Sequence, residues 1–305
     1  MGEHHHDHDH GIKSLEHISR AFYIGIVLNL AFTVVEFVMG YMSNSLALVA
    51  DASHNLSDVA SLVISLIGLK LTQKAATAVY TYGYKKASIL ASLVNSVILI
   101  AVVINIFVEG FQRLSHPPEV VGRAIIITAL VGVVINTISA WLFFKDQKED
   151  INVKGAYLHL MLDAVISIGV VISGVIIYYT GWVIVDPLIS FVVGVVILVS
   201  TWGLLKESLK LTLDGVPKDI QIDEIKQLIA DNQEIREVYH IHIWALSSTE
   251  NALTAHVSLQ QDNLSGKELM SIKNKLKHQL KHHNIHHATI ELDGGMGEDA
   301  LGDCC

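Results

Sequence analysis

Long apolar runs occupy the first two thirds of this chain. Six of them follow one another with short polar intervals, and each is about twenty residues or longer. They cover residues 21–42, 46–69, 87–112, 121–144, 155–179 and 182–205. About twenty consecutive apolar residues are enough for an α-helix to cross the hydrocarbon core of a bilayer. The pattern therefore predicts a bundle of six transmembrane helices.

A soluble pattern begins near Leu211. The segment from Asp214 to Pro217 interrupts the helical pattern, and the apolar positions beyond it are spaced as in amphipathic elements. The predicted elements are a helix over 220–232, strands over 235–246 and 252–260, a helix with a buried stripe at Leu269, Ile272, Leu276 and Leu280, and a strand over 288–292. The order α-β-β-α-β is typical of a small two-layer α+β domain.

The composition agrees with a membrane protein. Of the 305 residues, 51% are hydrophobic and 17% are charged, whereas about a quarter of a soluble domain is charged. The net charge of −9 and the lack of a basic stripe exclude nucleic acid as a partner. The N-terminus lacks the basic and apolar segments of a signal peptide. The only cysteines, Cys304 and Cys305, are adjacent, so the chain has no disulfide framework.

Basic residues are concentrated in every second interval between the apolar runs. They precede the first run, separate runs two and three and runs four and five, and follow run six: Lys13, Arg20, Lys70, Lys74, Lys85, Lys86, Lys145, Lys148, Lys154, Lys206 and Lys210. The other intervals hold only Arg113 and Arg123. By the positive-inside rule, both termini are expected in the cytoplasm. The compact length and short loops favour a bacterial inner membrane, and an organelle membrane is the alternative.

Two of the apolar runs contain the same pair of ionisable residues. His54 and Asp58 are four residues apart in the second run, and His159 and Asp163 repeat the spacing in the fifth. On a helix this spacing places both side chains on one face. Ionisable groups at membrane depth are costly and indicate a functional site. Two imidazoles and two carboxylates would form a complete tetrahedral zinc shell, whereas interhelical hydrogen bonding within each pair is the structural alternative.

The chemistry of these four groups also predicts how transport would be driven. Nitrogen ligands favour first-row divalent ions over magnesium and calcium. Two ionised carboxylates neutralise a divalent cation, which lowers the cost of holding it in the membrane. Because the ligands bind metal only when deprotonated, protons compete with the metal for the same groups. Metal loading would therefore displace protons, and reprotonation from the other side of the membrane would expel the metal.

Two further polar residues lie in the second run, beside the first pair. Asp51 precedes His54 by three residues and is expected to support the imidazole from behind or to be structural, with a role in ion release at the outer mouth as the alternative. Asn55 either orients the metal site or bonds a neighbouring helix. The sequence does not choose between these two roles.

The chain resembles the cation diffusion facilitator family, in its zinc-transporting branch. The resemblance covers nearly the whole chain and is carried by Ser45–Asp58 (SLALVADASHNLSD), Tyr80–Lys86 (YTYGYKK), Tyr157–Asp163 (YLHLMLD), Asp186-Pro187 and His242-Ile243-Trp244. It implies a homodimer of six-helix bundles with a cytoplasmic ferredoxin-like α+β domain, and exchange of zinc for protons by alternating access. The family's transport ligands fall on His54, Asp58, His159 and Asp163. Two histidines among the ligands, in place of a site made only of carboxylates, resemble the zinc-selective members more than the manganese or iron ones.

The expected domain boundaries follow from the pattern and the resemblance together. Residues 1–20 form a His-rich cytoplasmic segment, 21–210 the transport domain, 211–293 the cytoplasmic regulatory and dimerisation domain, and 294–305 a flexible tail. The two ends are candidates for capturing zinc in the cytoplasm, with a purification tag as the alternative for the first. The residues concerned are His4, His5, His6, His8, His10, Cys304 and Cys305.

The resemblance also implies a regulatory zinc site in the cytoplasmic domain. Such sites lie near the family's equivalents of His256, His286 and Asp293. The family often has a histidine where this chain has Tyr239, and His240 or His242 are the candidates to replace it. Ordinary surface histidines are the alternative. Some relatives hold a further metal site between the second and third spans, but residues 70–86 contain no histidine, so that site is predicted to be absent.

Three functions remain to be weighed. The leading one is a zinc/proton antiporter that exports Zn²⁺ from the cytoplasm and is not an enzyme, with a broader divalent range including Cd²⁺ and Co²⁺ as a variant. The second is a membrane zinc sensor or buffer that does not transport. The third, an intramembrane metalloprotease, requires a zinc site with an open position and a general base, and the chain has no His-Glu-x-x-His string.

Overall fold

The structure is a computed structural model that describes residues 27–72, 74–144, 151–261 and 263–293. Its helices are α1 (Val27–Met42), α2 (Leu46–Thr72), α3 (Ala87–Ser115), α4 (Gly122–Phe143), α5 (Ile151–Thr180), α6 (Val185–Thr212), α7 (Ile222–Ala230) and α8 (Gly266–His282). Its strands are β1 (Ile235–Ala245), β2 (Asn251–Leu259) and β3 (Ile285–Asp293).

A helix lies in each of the apolar runs. Among the described residues, four helices are long and apolar enough to cross a membrane, namely α3, α4, α5 and α6, and α1 is a shorter apolar helix. The helical character of the apolar region is therefore confirmed, with four clear spans. The count of six spans stays a prediction.

The chain divides into two compact units. The first is drawn from residues up to Leu62 and from Val97–Thr201, and the second from Val63–Ser96 and from Trp202 onward. The helices α2, α3 and α6 contribute residues to both units.

Two apolar cores hold the first unit together. One joins α2, α3 and α6 through the buried residues Leu46, Ala50, Val103, Ile106, Val193 and Ile197. The other joins α2, α4 and α5 through Ala47, Leu48, Ile125, Ala129, Val170 and Ile177. Because successive residues of α2 enter different cores, this helix is packed on several sides. Polar residues elsewhere on α2 are thereby carried into the interior of the unit.

Helices α3 and α6 interlock through reciprocal pairs of glycine and phenylalanine. A Cβ atom added to Gly110 of α3 would lie 2.5 Å from the Phe191 ring of α6. One added to Gly194 of α6 would lie 2.8 Å from the Phe107 ring of α3. Each helix thus fills with a ring the gap that a glycine leaves on the other. Small residues at such positions allow the close van der Waals packing on which helix association in membranes depends.

Helices α4 and α5 approach each other closely at two further glycines. A Cβ atom added to Gly122 of α4 would lie 2.8 Å from the backbone nitrogen of Tyr178. One added to Gly174 of α5 would lie 3.0 Å from the backbone nitrogen of Ile126. These neighbours are backbone atoms, which have no rotamer freedom and cannot yield to a larger side chain.

Asp186, at the start of α6, caps the N-terminus of α2. Its carboxylate accepts hydrogen bonds from Ser45 Oγ at 2.6 Å and from the backbone nitrogens of Leu46 at 2.7 Å and Ala47 at 3.3 Å. Arg113 lies on its other side, with Nη1 3.8 Å from the carboxylate. A carboxylate at a helix N-terminus satisfies otherwise unpaired N–H groups and complements the helix dipole. This buried contact fixes where α2 begins.

The second unit contains a three-stranded sheet in the order β1-β2-β3. Strands β1 and β2 are antiparallel, and β2 and β3 are parallel and connected through α8. Helices α7 and α8 pack on the sheet around a core that includes Ile229, Leu253, Leu276 and Leu280. The predicted order α-β-β-α-β is confirmed. Among the described residues of this domain the sheet has three strands, one fewer than the complete β-α-β-β-α-β ferredoxin-like arrangement.

The Tyr80–Lys86 motif also belongs to the second unit, where it contacts the turn between β1 and β2. Lys85 forms an ion pair with Glu250. The hydroxyl of Ser88 accepts a hydrogen bond from the backbone nitrogen of Ser248 at 3.2 Å. The sequence singled out this motif by resemblance alone, and these contacts give its lysine a structural role.

Candidate metal centre

Helices α2 and α5 bring together one residue from each His-x-x-x-Asp pair. Nε2 of His54 lies 3.2 Å from Oδ1 of Asp163. Asp163 is fully buried, and His54 is 7% exposed. The cores described above place these groups in the interior, since both α2 and α5 pack through apolar side chains on their other faces. An imidazole and a carboxylate of different helices therefore meet away from water.

His159 adds a second imidazole from the preceding turn of α5. Its Nε2 lies 3.7 Å from the other oxygen of Asp163, Oδ2, and its ring centre lies 5.9 Å from that of His54. In a tetrahedral zinc shell with metal–ligand distances near 2.0–2.1 Å, neighbouring ligand atoms are about 3.3 Å apart. The separations observed across Asp163 are close to this value. The His159 side chain is 44% exposed, so the site has an open side.

Asp58, the fourth predicted ligand, has a side chain outside the described part of the structure. Its backbone lies on α2, one turn beyond His54. Helical geometry places residues four apart on the same face. The position of its carboxylate relative to the other three groups stays a prediction.

Asp51 is fully buried on α2, one turn before His54. Its Oδ2 atom accepts a hydrogen bond from Ser167 Oγ of α5 at 3.0 Å, and His54 is close enough to act on it electrostatically. This carboxylate therefore ties α2 to α5 one turn from the imidazole. Its assignment as a support of the metal site stays a proposal.

Asn55 bonds a neighbouring helix. Its Nδ2 atom donates to Oε2 of Glu36 on α1 at 3.0 Å, and both side chains are fully buried. Glu36 is an isolated polar residue of the first apolar run, and nothing in a periodic pattern shows which side chain of another helix it meets. The presence of a carboxyl group in an apolar run was the available signal.

A second group of metal-ligand side chains lies at the end of the sheet. His256, Glu291 and Asp293 offer ligand atoms that all lie within 4.8 Å of one another. Nδ1 of His256 is 3.2 Å from Oδ2 of Asp293, and its Nε2 is 3.8 Å from Oε2 of Glu291. Strand pairing explains the group, because His256 of β2 lies opposite Glu291 of β3. Glu291 was not predicted, since register is needed to place it.

Tyr239 of β1 closes this group, which we call the sheet-end cluster. Its hydroxyl donates to Oδ2 of Asp293 at 2.6 Å. Burial, followed by the hydrogen bond to Asp293, raises the pKa of Tyr239 to about 12. The phenol therefore stays protonated near neutral pH and acts as a donor. It occupies one acceptor position of a carboxylate that a metal ion would also use.

The other histidines predicted for this site lie at varying distances from it. His240 adjoins the cluster, with its ring centre 5.5 Å from that of His256, and its backbone has φ 45° at an irregularity of β1. His242 follows on β1 and is exposed. His286 lies near the start of β3, seven residues before Asp293, which is roughly 23 Å of extended strand. His286 is thus remote from the sheet-end cluster.

All the histidines and cysteines predicted to capture zinc at the two ends of the chain lie outside the described residues. They are His4, His5, His6, His8, His10, Cys304 and Cys305.

Two family models together match most of the chain. Residues 22–211 match the cation efflux transmembrane domain, and residues 217–294 match the cation efflux protein cytoplasmic domain. The chain belongs to the cation efflux family. This is the cation diffusion facilitator family indicated by the sequence motifs, and the resemblance is confirmed. The protein is an integral membrane transporter of cations and not an enzyme.

Relatives within the cation efflux family are similar along nearly their whole length. The chain is 36% identical to a cation efflux system protein CzcD of an Alcaligenes species over 297 residues, covering 97% of this chain and 92% of the relative. It is 34% identical to a zinc transporter ZitB of Yersinia pestis, covering 92% and 90%. It is also 34% identical to a cadmium, cobalt and zinc/H(+)-K(+) antiporter of Bacillus velezensis, covering 94% and 91%.

Proposed function

We propose that this transporter exports Zn²⁺ from the cytoplasm in exchange for protons, using a transport site formed by His54, Asp58, His159 and Asp163. The observation that carries the proposal is the position of Asp163, whose two carboxylate oxygens lie 3.2 and 3.7 Å from the two imidazoles. Nitrogen–oxygen separations of this size suit neighbouring ligands of a tetrahedral zinc ion, which supports the assignment of both imidazoles and the Asp163 carboxylate to one site. Asp58 would supply the fourth corner.

Proton coupling follows from the chemistry of the ligands. A divalent cation held by two carboxylates and two neutral imidazoles is electrically neutral, so its transfer from water to the buried site is less costly. Each ligand must lose any proton it carries before it binds the metal. When the site faces the other side of the membrane, protons compete for the same lone pairs and release the metal. Alternating access would then couple the export of zinc to the import of protons.

The same site is suited to divalent metal ions other than zinc. Imidazole and carboxylate ligands suit Zn²⁺, but they also accept other first-row divalent ions. The names of the relatives in Alcaligenes and Bacillus do not limit them to zinc, and the Bacillus relative is named for cadmium and cobalt as well. Cd²⁺ and Co²⁺ are therefore alternative substrates of the same site. Zinc remains the leading substrate because two of the four ligands are histidines.

We place both termini in the cytoplasm, and we propose a bacterial inner membrane because the named relatives are bacterial. The match of residues 217–294 to the family's cytoplasmic domain supports this orientation. The chain would act as a homodimer, as the family resemblance implies. Residues 1–20, 21–210, 211–293 and 294–305 would then be the N-terminal segment, transport domain, cytoplasmic domain and tail.

The sheet-end cluster is the candidate for regulatory zinc. His256, Glu291 and Asp293 supply up to three ligands, and Tyr239 competes for one of them. The second function, a zinc sensor or buffer without transport, would make this cluster the primary site. The buried carboxylate between two imidazoles favours transport, since a sensor has no need of a costly charged group at membrane depth.

The deciding experiment is Zn²⁺ uptake into inverted vesicles that carry an imposed proton gradient. Asp163→Ala is expected to abolish proton-dependent uptake, because it removes the group that lies between both imidazoles. Asp219→Ala, at an exposed aspartate outside the site, is the matched control and should transport normally. Undiminished uptake by Asp163→Ala would refute the site, and absence of flux in the unmodified protein would favour the sensor.

A further inference from the structure

Two exposed histidines near the end of α8 lie in direct contact. His278 and His282 are four residues apart on this helix, and their Nε2 atoms are 3.3 Å from each other. Their ring centres are 4.8 Å apart, and the two ring planes are nearly perpendicular, at 88°. Neither residue belongs to the proposed transport site or to the sheet-end cluster. The functions described above therefore give this contact no role.

The helix presents the histidine pair to solvent. Its buried residues, Ile272, Leu276 and Leu280, belong to the core between α8 and the sheet. With about 3.6 residues per turn, His278 and His282 fall on the opposite side of the helix from Leu276 and Leu280. Both histidines are exposed. An ion from the surrounding water can therefore reach both rings without a change in the fold.

The separation of the two nitrogens is that of neighbouring ligands in a zinc site. Zn–N bonds of 2.0–2.1 Å and tetrahedral angles place two ligand nitrogens about 3.3 Å apart. A spacing of four residues is also the one with which the His-Glu-x-x-His helix of metalloproteases presents two imidazoles to one zinc ion. Gln279 stands here at the position of that glutamate, which is the general base. The pair therefore offers ligands for a metal without the means for hydrolysis.

The charges around the pair act in both directions. The C-terminal end of a helix carries partial negative charge, which favours a cation, and α8 ends at His282. Lys277 and Lys281 lie beside the histidines and oppose a cation. Both lysines are exposed, so their long side chains extend into water, where salt screens the repulsion. They weaken binding at the pair but do not block access to it.

The pair lies far from the sheet-end cluster. Helix α8 ends at His282, and β3 begins three residues later at Ile285. Glu291 of the cluster is six residues further along this strand, roughly 20 Å from its start. The histidine pair and the sheet-end cluster thus lie toward opposite ends of β3. One zinc ion cannot contact both.

We infer that His278 and His282 bind one Zn²⁺ ion through their Nε2 atoms, at the surface of the cytoplasmic domain to which residues 217–294 match. Two imidazoles leave two coordination positions to water, so this site binds zinc more weakly than a closed shell of four protein ligands and exchanges it readily. It does not take Mg²⁺ or Ca²⁺, because these ions prefer oxygen ligands. The site is independent of the direction and the coupling of transport.

The test uses the full-length protein in detergent, with Zn²⁺ as the probe. Diethyl pyrocarbonate modifies free imidazole nitrogens, and peptide mass spectrometry gives the rate at each histidine separately. Saturating Zn²⁺ should slow the modification of His278 and His282 by at least about fivefold, because the metal occupies the lone pairs that react. Mg²⁺ should leave both rates unchanged. His116, an exposed histidine just after α3, is the internal reference, and Zn²⁺ should change its rate little.

Mutual dependence of the two histidines identifies a shared ion. In His278→Gln, His282 stays exposed but has lost its partner, so its protection by Zn²⁺ should fall to the level of His116. His283→Gln, which changes the next histidine at the same end of the helix, is the matched control and should leave the protection of both residues intact. His282→Gln should remove the protection of His278 in the same way, and it replaces the first variant if that one is not monodisperse.

Two results would overturn the inference. Equal modification rates with and without Zn²⁺ would mean that the two nitrogens share only a hydrogen bond. Protection of His282 that survives in His278→Gln would mean that single histidines take up zinc independently. Both measurements are made without any flux, so their failure would leave the proposed antiport untouched, and failure of the antiport would leave this site untouched.

Discussion

Removing the Asp186 carboxylate should destabilise the transport domain through the start of α2. Three donors converge on this buried group: Ser45 Oγ and the backbone nitrogens of Leu46 and Ala47. Asp186→Ala leaves all three without their acceptor. Asp186→Asn keeps one carbonyl oxygen but loses the charge and the second acceptor, so its effect should be smaller.

The magnitude follows from the number and kind of these bonds. A hydrogen bond to a charged group contributes about 1.5–3 kcal/mol, and loss of a helix N-cap costs about 0.5–2 kcal/mol. Counting two strong bonds and one long one, we expect Asp186→Ala to lower the free energy of unfolding by about 3–6 kcal/mol. For a domain near 200 residues this corresponds to a fall in Tm of roughly 10–20 °C. The fall in Tm of Asp186→Asn should be about half as large.

The assay is thermal unfolding of the purified protein in detergent, followed by the fraction that remains monodisperse. Glu119→Gln, at an exposed glutamate whose side chain does not touch the cap, controls for general loss of surface charge. A fall in Tm of less than about 2 °C for Asp186→Ala would show that the α2 terminus does not depend on this carboxylate. Zinc uptake should fall with stability, because His54 lies on the same helix, eight residues after its first residue, Leu46.

Three further outcomes are expected. Gly174→Val should lower Tm and expression, since its side chain meets the Ile126 backbone, whereas Gly169→Val on the same helix has open space and should be tolerated. Tyr239→His should tighten zinc binding at the sheet-end cluster by at least tenfold, because a nitrogen ligand replaces a hydroxyl that competes for Asp293; equal zinc affinity in equilibrium dialysis would contradict this. The pKa of Tyr239 is raised to about 12, so the hydroxyl stabilises the fold fully below pH 10 and this stabilisation is lost as the pH rises through 12. Alkaline unfolding measures the loss, which should be absent in Tyr239→Phe.

Much of the fold follows from the apolar pattern. The apolar runs form helices because, in a membrane, the backbone N–H and C=O groups of such a run must hydrogen-bond with one another, and a helix pairs them within the run. The alternation beyond Leu211 gives the strands, and β1 begins at Ile235 and ends at Ala245, within one residue of the prediction. The family resemblance implied a ferredoxin-like domain with four strands, but the sequence has no alternating segment just before α7 that would predict the additional strand, and the described residues there form none.

The candidate site shows where such reasoning ends. Spacing predicts that each histidine shares a helix face with its aspartate, but it does not predict that α2 and α5 face each other. The same limit hid Glu36, whose partner is on another helix, and Glu291, whose partner is across a strand pair. In each case a local pattern determines which way a side chain points, and only tertiary packing determines what it meets.

The reciprocal glycine–phenylalanine pairs of α3 and α6 bear on how the transporter can move. A shift of one helix along the other by a single turn, about 5.4 Å, would carry each ring out of its gap and against a neighbouring side chain. The two insertions point in opposite directions, from Phe107 into α6 and from Phe191 into α3, so sliding either way meets resistance. Packed interfaces of this kind move between discrete arrangements rather than deforming gradually. During a transport cycle α3 and α6 would therefore move together as a rigid body, and any rearrangement would take place at contacts between other helices.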